Sequence, residues 1–293
     1  MRLRTTLLIT AFLCTNMFSQ SQIRISYNPK KAETYTYRFI TDEKSNQSVG
    51  SQKTTTGNRL EYVIDLNIKS KNTDEVHADY IFKEIVMSFS SPTMSFTIDS
   101  KNKADNTLDI NNFFDCLIRK SLQIVVSPDG SVKTVTGFQP IMEDIQKVIS
   151  SANETDRRII GMFIQMSFHE FAVKTGFEQS FKMYPDKEIK VGDSWSIDKS
   201  TSVLKIMNNV VNTYTLISIN EDLALIDVTA VSLMKNESLN RELKEEQKGE
   251  IELNIKTGLP VQSSLSGNSN TIFNIQGIDV ISSTTKTITV SLQ

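Results

Sequence analysis

The sequence is poor in the residues that most often carry chemistry: 293 residues hold two histidines, two cysteines and one tryptophan. Neither cysteine can staple the fold. Cys14 lies in the N-terminal leader, and its removal leaves Cys116 alone, so no intramolecular disulfide forms. A chain of this length has enough core to stand without one. Long apolar runs are also missing. "LLITAFLC" (Leu7 to Cys14) is the main one, and it falls short of the roughly 20 residues that span a bilayer. Net charge is −2, and −4 without Arg2 and Arg4. With no basic patch interleaved with aromatics, nucleic-acid binding is excluded.

That apolar run is nevertheless informative. It follows a basic start (Arg2, Arg4) and precedes a polar exit, "TNMFSQSQ", which reads as a signal peptide of residues 1–19 cut after Ser19. A lipoprotein signal with Cys14 as the lipidated residue wants a small residue before the cysteine, and Leu13 stands there. The mature chain is therefore expected outside the cytoplasm, in the periplasm or at the cell surface, with no transmembrane segment.

Motifs for catalysis are equally scarce. "HEFAV" (His169 to Val173) begins like a zinc-protease helix, but the second histidine that motif needs is replaced by Val173. His77 lies on an expected strand, and no G-x-S-x-G elbow supports a serine hydrolase. "SPDG" and "VGDS" lack the alternating oxygen ligands and closing Glu of a calcium loop. Gly-rich phosphate loops are absent. No catalytic residue, metal or cofactor is expected, and Cys116, in "FFDCLI", reads as a small buried hydrophobe.

What the sequence does contain is short-period alternation. "TYTYRF" puts Tyr35, Tyr37 and Phe39 on one face, and "RLEYVIDLNI" does the same for Leu60 to Ile68. The polar turn "KSKNTDE" and the return "VHADYIF" complete a hairpin. "SLQIVVSPDGSVKTVTG" is a second, turning at Pro128-Asp129-Gly130. The polar "ESLNRELKEEQKGE" reads as a mobile connection or an exposed strand edge.

The middle changes to helical spacing. One helix follows Pro140, and a second is expected from about Thr155 to Lys174, stopping at Gly176. The second carries a broad apolar face, from which Met162, Phe163, Met166, Phe168 and Phe171 are candidates for the wall of a ligand groove. Packing on a sheet is the competing role for that face.

Beyond Gly176 the β pattern returns, and it repeats the first half block by block. "KKAETYTYRF" corresponds to "IKVGDSWSI", so Trp195 stands where Tyr35 stands; the two hairpins have counterparts in "TYTLISINEDLALIDVTAV" and "IELNIKTGLPVQSSLSG". The organisation read from this is a signal peptide (1–19), a first β-rich half (20–137), a helical insert (138–176) and a second β-rich half (177–293). The fold class is β-rich α+β: two similar antiparallel curved sheets, an internal duplication, with two central helices packed against them.

The run from Asp129 to Gly137, the helices and the segment Val191 to Trp195 ("VGDSW") together resemble an uncharacterised family of exported proteins from Gram-negative bacteria. The resemblance implies export and a shared fold, and transfers no catalytic residue. The function expected is that of a non-enzymatic envelope protein holding an apolar ligand or an exported partner between sheet and helices. The alternatives are an interaction module working by strand addition and a hydrolase whose site would bring His77 or His169 to a serine or carboxylate.

Overall fold

The computed structural model describes residues 22–105, 111–203, 206–236, 241–275 and 278–293; the expected signal peptide lies outside them. The alternating segments form long strands: β1 (Thr34–Val49), β2 (Gln52–Lys71) and β3 (Val76–Ser90), followed by short β4 (Ser95–Asp99), β5 (Ser121–Val126) and β6 (Val132–Thr136). The helices are α1 (Asn111–Asp115), α2 (Phe138–Ser151), α3 (Glu154–Ser167) and α4 (Glu170–Phe181). Six more strands complete the chain: β7 (Ser194–Val203), β8 (Ile206–Asn220), β9 (Leu223–Asn236), β10 (Arg241–Asn254), β11 (Pro260–Ile275) and β12 (Ile278–Leu292).

The β-rich α+β class, with helices packed on curved antiparallel strands, is the one expected. The two halves, however, are fused into one sheet, ordered β6-β5-β3-β2-β1-β12-β11-β10-β9-β8-β7, with β4 beside β3. The seam is β1 against β12, registered from Tyr37↔Leu292 to Val49↔Val280. Left apart, these strands would each present a row of bare N–H and C=O groups; pairing them satisfies both edges. Alternation in a sequence reports which face a residue takes and not which strand lies beside it, so the seam could not be read in advance.

Two local expectations also change. The polar segment expected as a mobile connection or an exposed strand edge is largely β10, an interior strand between β9 and β11. Its charged residues Lys244, Glu246, Lys248 and Glu250 are exposed, while Glu245, Gln247 and Gly249 alternate onto the other face. The single long second helix is two helices, giving three where two were expected. The chain breaks at Phe168–His169, where the His169 ring caps α4 by accepting from the Ala172 N–H at 3.3 Å. Gly176 then sits inside α4 and terminates nothing.

The repeated lead-in is visible in the hydrogen bonds. Ala32 N–H donates to Ile68 O and Ile68 N–H to Glu33 O; Gly192 N–H donates to Leu216 O and Leu216 N–H to Asp193 O. Ala32 and Gly192 both hold positive φ, 61° and 92°. The tight hairpin turns match too: Gly130 and Gly258 have φ of 79° and 67°, and a Cβ on either would strike the backbone oxygen of Phe181 or of Ser26. Each half thus packs the approach to the other half's first strand against its own hairpin turn.

The helices lie against the concave face. Phe181 at the end of α4 is fully buried, with its ring 4.4 Å from Phe177, 5.3 Å from Tyr37 and 6.1 Å from Tyr27. Phe168 meets Phe82 and Phe138, and Phe163 meets Phe113 and Phe114 edge-on.

Candidate functional site

The cross-strand register lays the second half's inward side chains in rows running across the sheet. In one row Leu216, Ile226, Ile251, Ser263 and Val290 line up, and the next row is Tyr214, Val228, Gly249, Leu265 and Ile288. A third row, Asn212, Ala230, Gln247, Gly267 and Lys286, is more polar. A fourth row holds Lys199, Val210, Ser232 and Glu245. The third and fourth rows carry every charged side chain of the lining and form its charged rim, with apolar Met234 beyond them. Gly249 and Gly267 have no room for a Cβ, which would meet the backbone of β11 and of β10. Glycine is what lets these two strands approach and bend so closely.

Over these rows lies α4, contributing Thr175, Gln179 and Ser180, with Met183 just beyond it. The space between is a cavity of about 270 Å³. Small and medium side chains (Ala230, Ser263, Val228) face it where the first half of the sheet has aromatic rings, so the space beneath α4 is left unfilled. Tyr214 anchors one side. Its hydroxyl accepts from Asn212 Nδ2 at 3.2 Å, and burial pushes its pKa up to about 12. Trp195 stacks on Tyr214 with ring centroids 5.5 Å apart and donates from Nε1 to Met183 O at 2.8 Å. The sole tryptophan is an architectural residue, tying the edge strand to the segment that roofs the cavity.

Lys199 is the unusual group of the lining. Its ammonium donates to the main-chain oxygen of Glu178 at 2.8 Å. Burial, moderated by the charge of Glu178 and reinforced by Lys182, pushes its pKa down to about 8. Sequence reading missed this cavity. The available signal was Lys199 and Lys286 at inward positions two residues from Ile197 and Ile288.

The residues singled out from sequence go elsewhere. Phe163 and Phe168 are buried in the aromatic packing described above and do not line the cavity. Phe171 is 43% exposed and stacks on His169. Met162 and Met166 fall on α3, with side chains outside those described. His77 bonds Glu75 through Nε2 at 2.7 Å, and Lys133 reaches the same carboxylate at 3.2 Å; the histidine first, then the lysine, hold Glu75 below the usual carboxylate range. Neither histidine lines the cavity. Cys116 is buried, donates to Asn112 O, and burial together with Asp144 and Asp115 raises its pKa, leaving an unreactive thiol. Among the described residues no three His, Cys, Asp or Glu side chains cluster to hold a metal. Nor, among them, is any helix long and apolar enough to cross a membrane.

A second hollow, about 510 Å³, lies at the far ends of β1 to β4 and β12. It is open, with Phe89 and Phe96 among charged and hydroxyl side chains, and its Arg59 is already paired with Asp42 and Glu61.

The fold and cavity define a class: a broad open antiparallel sheet whose hollow is roofed by helices over an apolar space. Within that class, the chain belongs to DUF6263, a family of unknown function whose model matches residues 73–260. No curated protein matches it. Among solved structures, one of lipovitellin, described by its lipid–protein interactions, aligns at 9% identity and a TM-score of 0.51, over 90% of this chain and 25% of that one. The chain thus spans a quarter of the lipovitellin it resembles, and the likeness is one of fold. DynF, from the dynemicin biosynthesis pathway of Micromonospora chersina, aligns at 5% identity over 90% of this chain and 83% of its own, with a TM-score of 0.22. OpdQ of Pseudomonas aeruginosa aligns at 9% identity over 84% and 70%, with a TM-score of 0.24. Scores that low carry no argument about fold.

Proposed function

We propose that the protein is an exported envelope protein that holds an apolar molecule between α4 and the second half of the sheet. The observation that carries this reading is the cavity itself: a covered space with an apolar floor and its few charges gathered in two neighbouring rows, as binding sites have and packed cores do not. The lipovitellin likeness, a sheet of related build in a protein described by its lipid contacts, supports the same reading. Export rests on the basic and apolar leader of residues 1–19. The matched lead-ins and turns support descent of residues 20–137 and 177–293 from one duplicated unit, with the helices of 138–176 inserted between them.

The test is to purify the protein from its own envelope, extract it with organic solvent, and analyse the extract by mass spectrometry. A co-purified apolar compound is expected, along with stoichiometric binding of an environment-sensitive apolar probe. Ala230→Phe should fill the space and abolish probe binding while the fold still melts cooperatively. Probe binding unaffected by that substitution would sink the cavity as the site.

One observation favours a second reading. Among the described residues, β7 pairs with β8 alone, so its outer edge offers ten residues to an added strand. A partner bound there would be lost when prolines are placed at outward-facing N–H positions of β7, and retained in Ala230→Phe.

A further inference from the structure

The charges of the cavity are placed unevenly. The floor rows carry none, and the two rim rows carry Lys199, Lys286 and Glu245. Glu245 is already engaged, accepting from Gln247 Nε2 at 2.6 Å. Among the described residues no carboxylate pairs with Lys199, whose bond is to a main-chain oxygen, or with Lys286. A largely desolvated ammonium beside an apolar space is an expensive arrangement, and the Lys199 pKa of about 8 expresses that cost. An anion at the rim would remove it through a charge-assisted hydrogen bond in a poorly screened setting. A cation there would add to it.

The size of the space narrows the chemistry further. About 270 Å³ lies just below the roughly 300–1,000 Å³ typical of ligand pockets, which suits one alkyl chain and not two.

We propose that the occupant is a single-chain carboxylic acid, its alkyl end over Leu265 and Ile288 and its carboxylate at the rim, paired with Lys199. This rests on the cavity reading above and adds to it the class and orientation of the ligand. Lys286 supplies further positive potential on the β12 side. Gln247 holds Glu245, the one rim carboxylate, within the wall.

The experiment compares three probes of equal chain length on the full-length protein by titration calorimetry at pH 7: decanoate, decanol and decylamine. Decanoate should bind about tenfold more tightly than decanol, the size of effect expected of one charge-assisted bond, and decylamine more weakly than either. In Lys199→Met the preference for acid over alcohol should collapse towards unity, and Lys286→Met should reduce it partway. Equal binding of acid and alcohol, or a preference unchanged in Lys199→Met, would overturn the headgroup assignment and leave the cavity reading standing. Failure of all three probes to bind would overturn both. Should Lys199→Met not fold, the wild-type titrations of acid against alcohol at pH 7 and pH 9.5 decide the matter: the ratio falls as the ammonium loses its proton, and a constant ratio rejects the proposal. The charged groups that act on that ammonium are Glu178 and Lys182, from α4 and its exit; Glu245 and Lys286, on β10 and β12, are the other charged groups of the lining.

Discussion

The first half of the sheet crowds its concave face with rings, whereas the second half, built on the same lead-in and turns, furnishes that face sparingly. On β1 to β3, Tyr37, Phe39, Tyr62, Tyr80 and Phe82 interlock at centroid distances of 4.8 to 6.1 Å and receive Phe168 and Phe181 from the helices. On β9 to β12 the inward positions are Val228, Ala230, Ser263, Leu265 and Ile288, and a cavity remains. Side-chain volume thus decides which part of the sheet is filled and which keeps a cavity. A roofed face with too little volume to fill it marks a site better than a face of high hydrophobicity does.

Substitutions can break or sharpen this contrast. The largest effect is expected for Phe181→Ala, which removes a ring at the centre of the first half's packing and should cost about 3–5 kcal/mol in urea unfolding. Ala230→Phe, an addition of volume in the second half, should change stability by less than about 1.5 kcal/mol; a loss matching that of Phe181→Ala would mean the two halves are equally full. Next come the turns. Gly130→Ala and Gly258→Ala force a Cβ into backbone at positive φ, and each should lose about 2–3 kcal/mol. Similar losses would confirm that the turns are equivalent in both halves. Smaller still is the pair at the lead-ins. Trp195→Phe loses the bond to Met183 O and part of the stack on Tyr214, about 1–2 kcal/mol. Tyr35→Phe loses only its bonds with Glu33 and the Lys30 N–H, about 0.5–1.5 kcal/mol.

The smallest effect concerns Lys199. Its pKa in the folded protein, about 8, lies below the usual lysine value of about 10.4, so between those limits the unfolded chain binds more protons. This group therefore lowers stability fully below pH 8 and ceases to do so as pH rises through that window. In the ligand-free protein, Lys199→Met should raise Tm slightly at pH 7 and flatten the pH dependence of Tm from 8 to 10. An unchanged profile would show that this ammonium is solvated in both states.

Much of the architecture was legible because alternation and turn chemistry are local. The hairpins of β2–β3 and β5–β6 and the correspondence of Tyr35 with Trp195 all came from patterns within about twenty residues. The β1–β12 seam did not, since Tyr37 and Leu292 meet across nearly the whole chain. Nor did the break at Phe168–His169: the apolar periodicity runs through it, and only the His169 ring bonded to Ala172 N–H distinguishes a new helix start. The cavity was the least legible part. The most apolar helical segment is apolar because Phe163 and Phe168 fill the core. The lining is written in small and mid-sized residues, Ala230, Ser263 and Val228, whose meaning depends on what lies across from them.

The placement of β12 beside β1 has a consequence for how the molecule is made. Ribosomes deliver β1 before β12, so the junction at the middle of the finished sheet closes only after the residues through Leu292 have been made. Contacts that distant in sequence slow folding. Until then β1 presents a bare flank to any extended chain nearby, an opening for mispairing that closure of the seam removes.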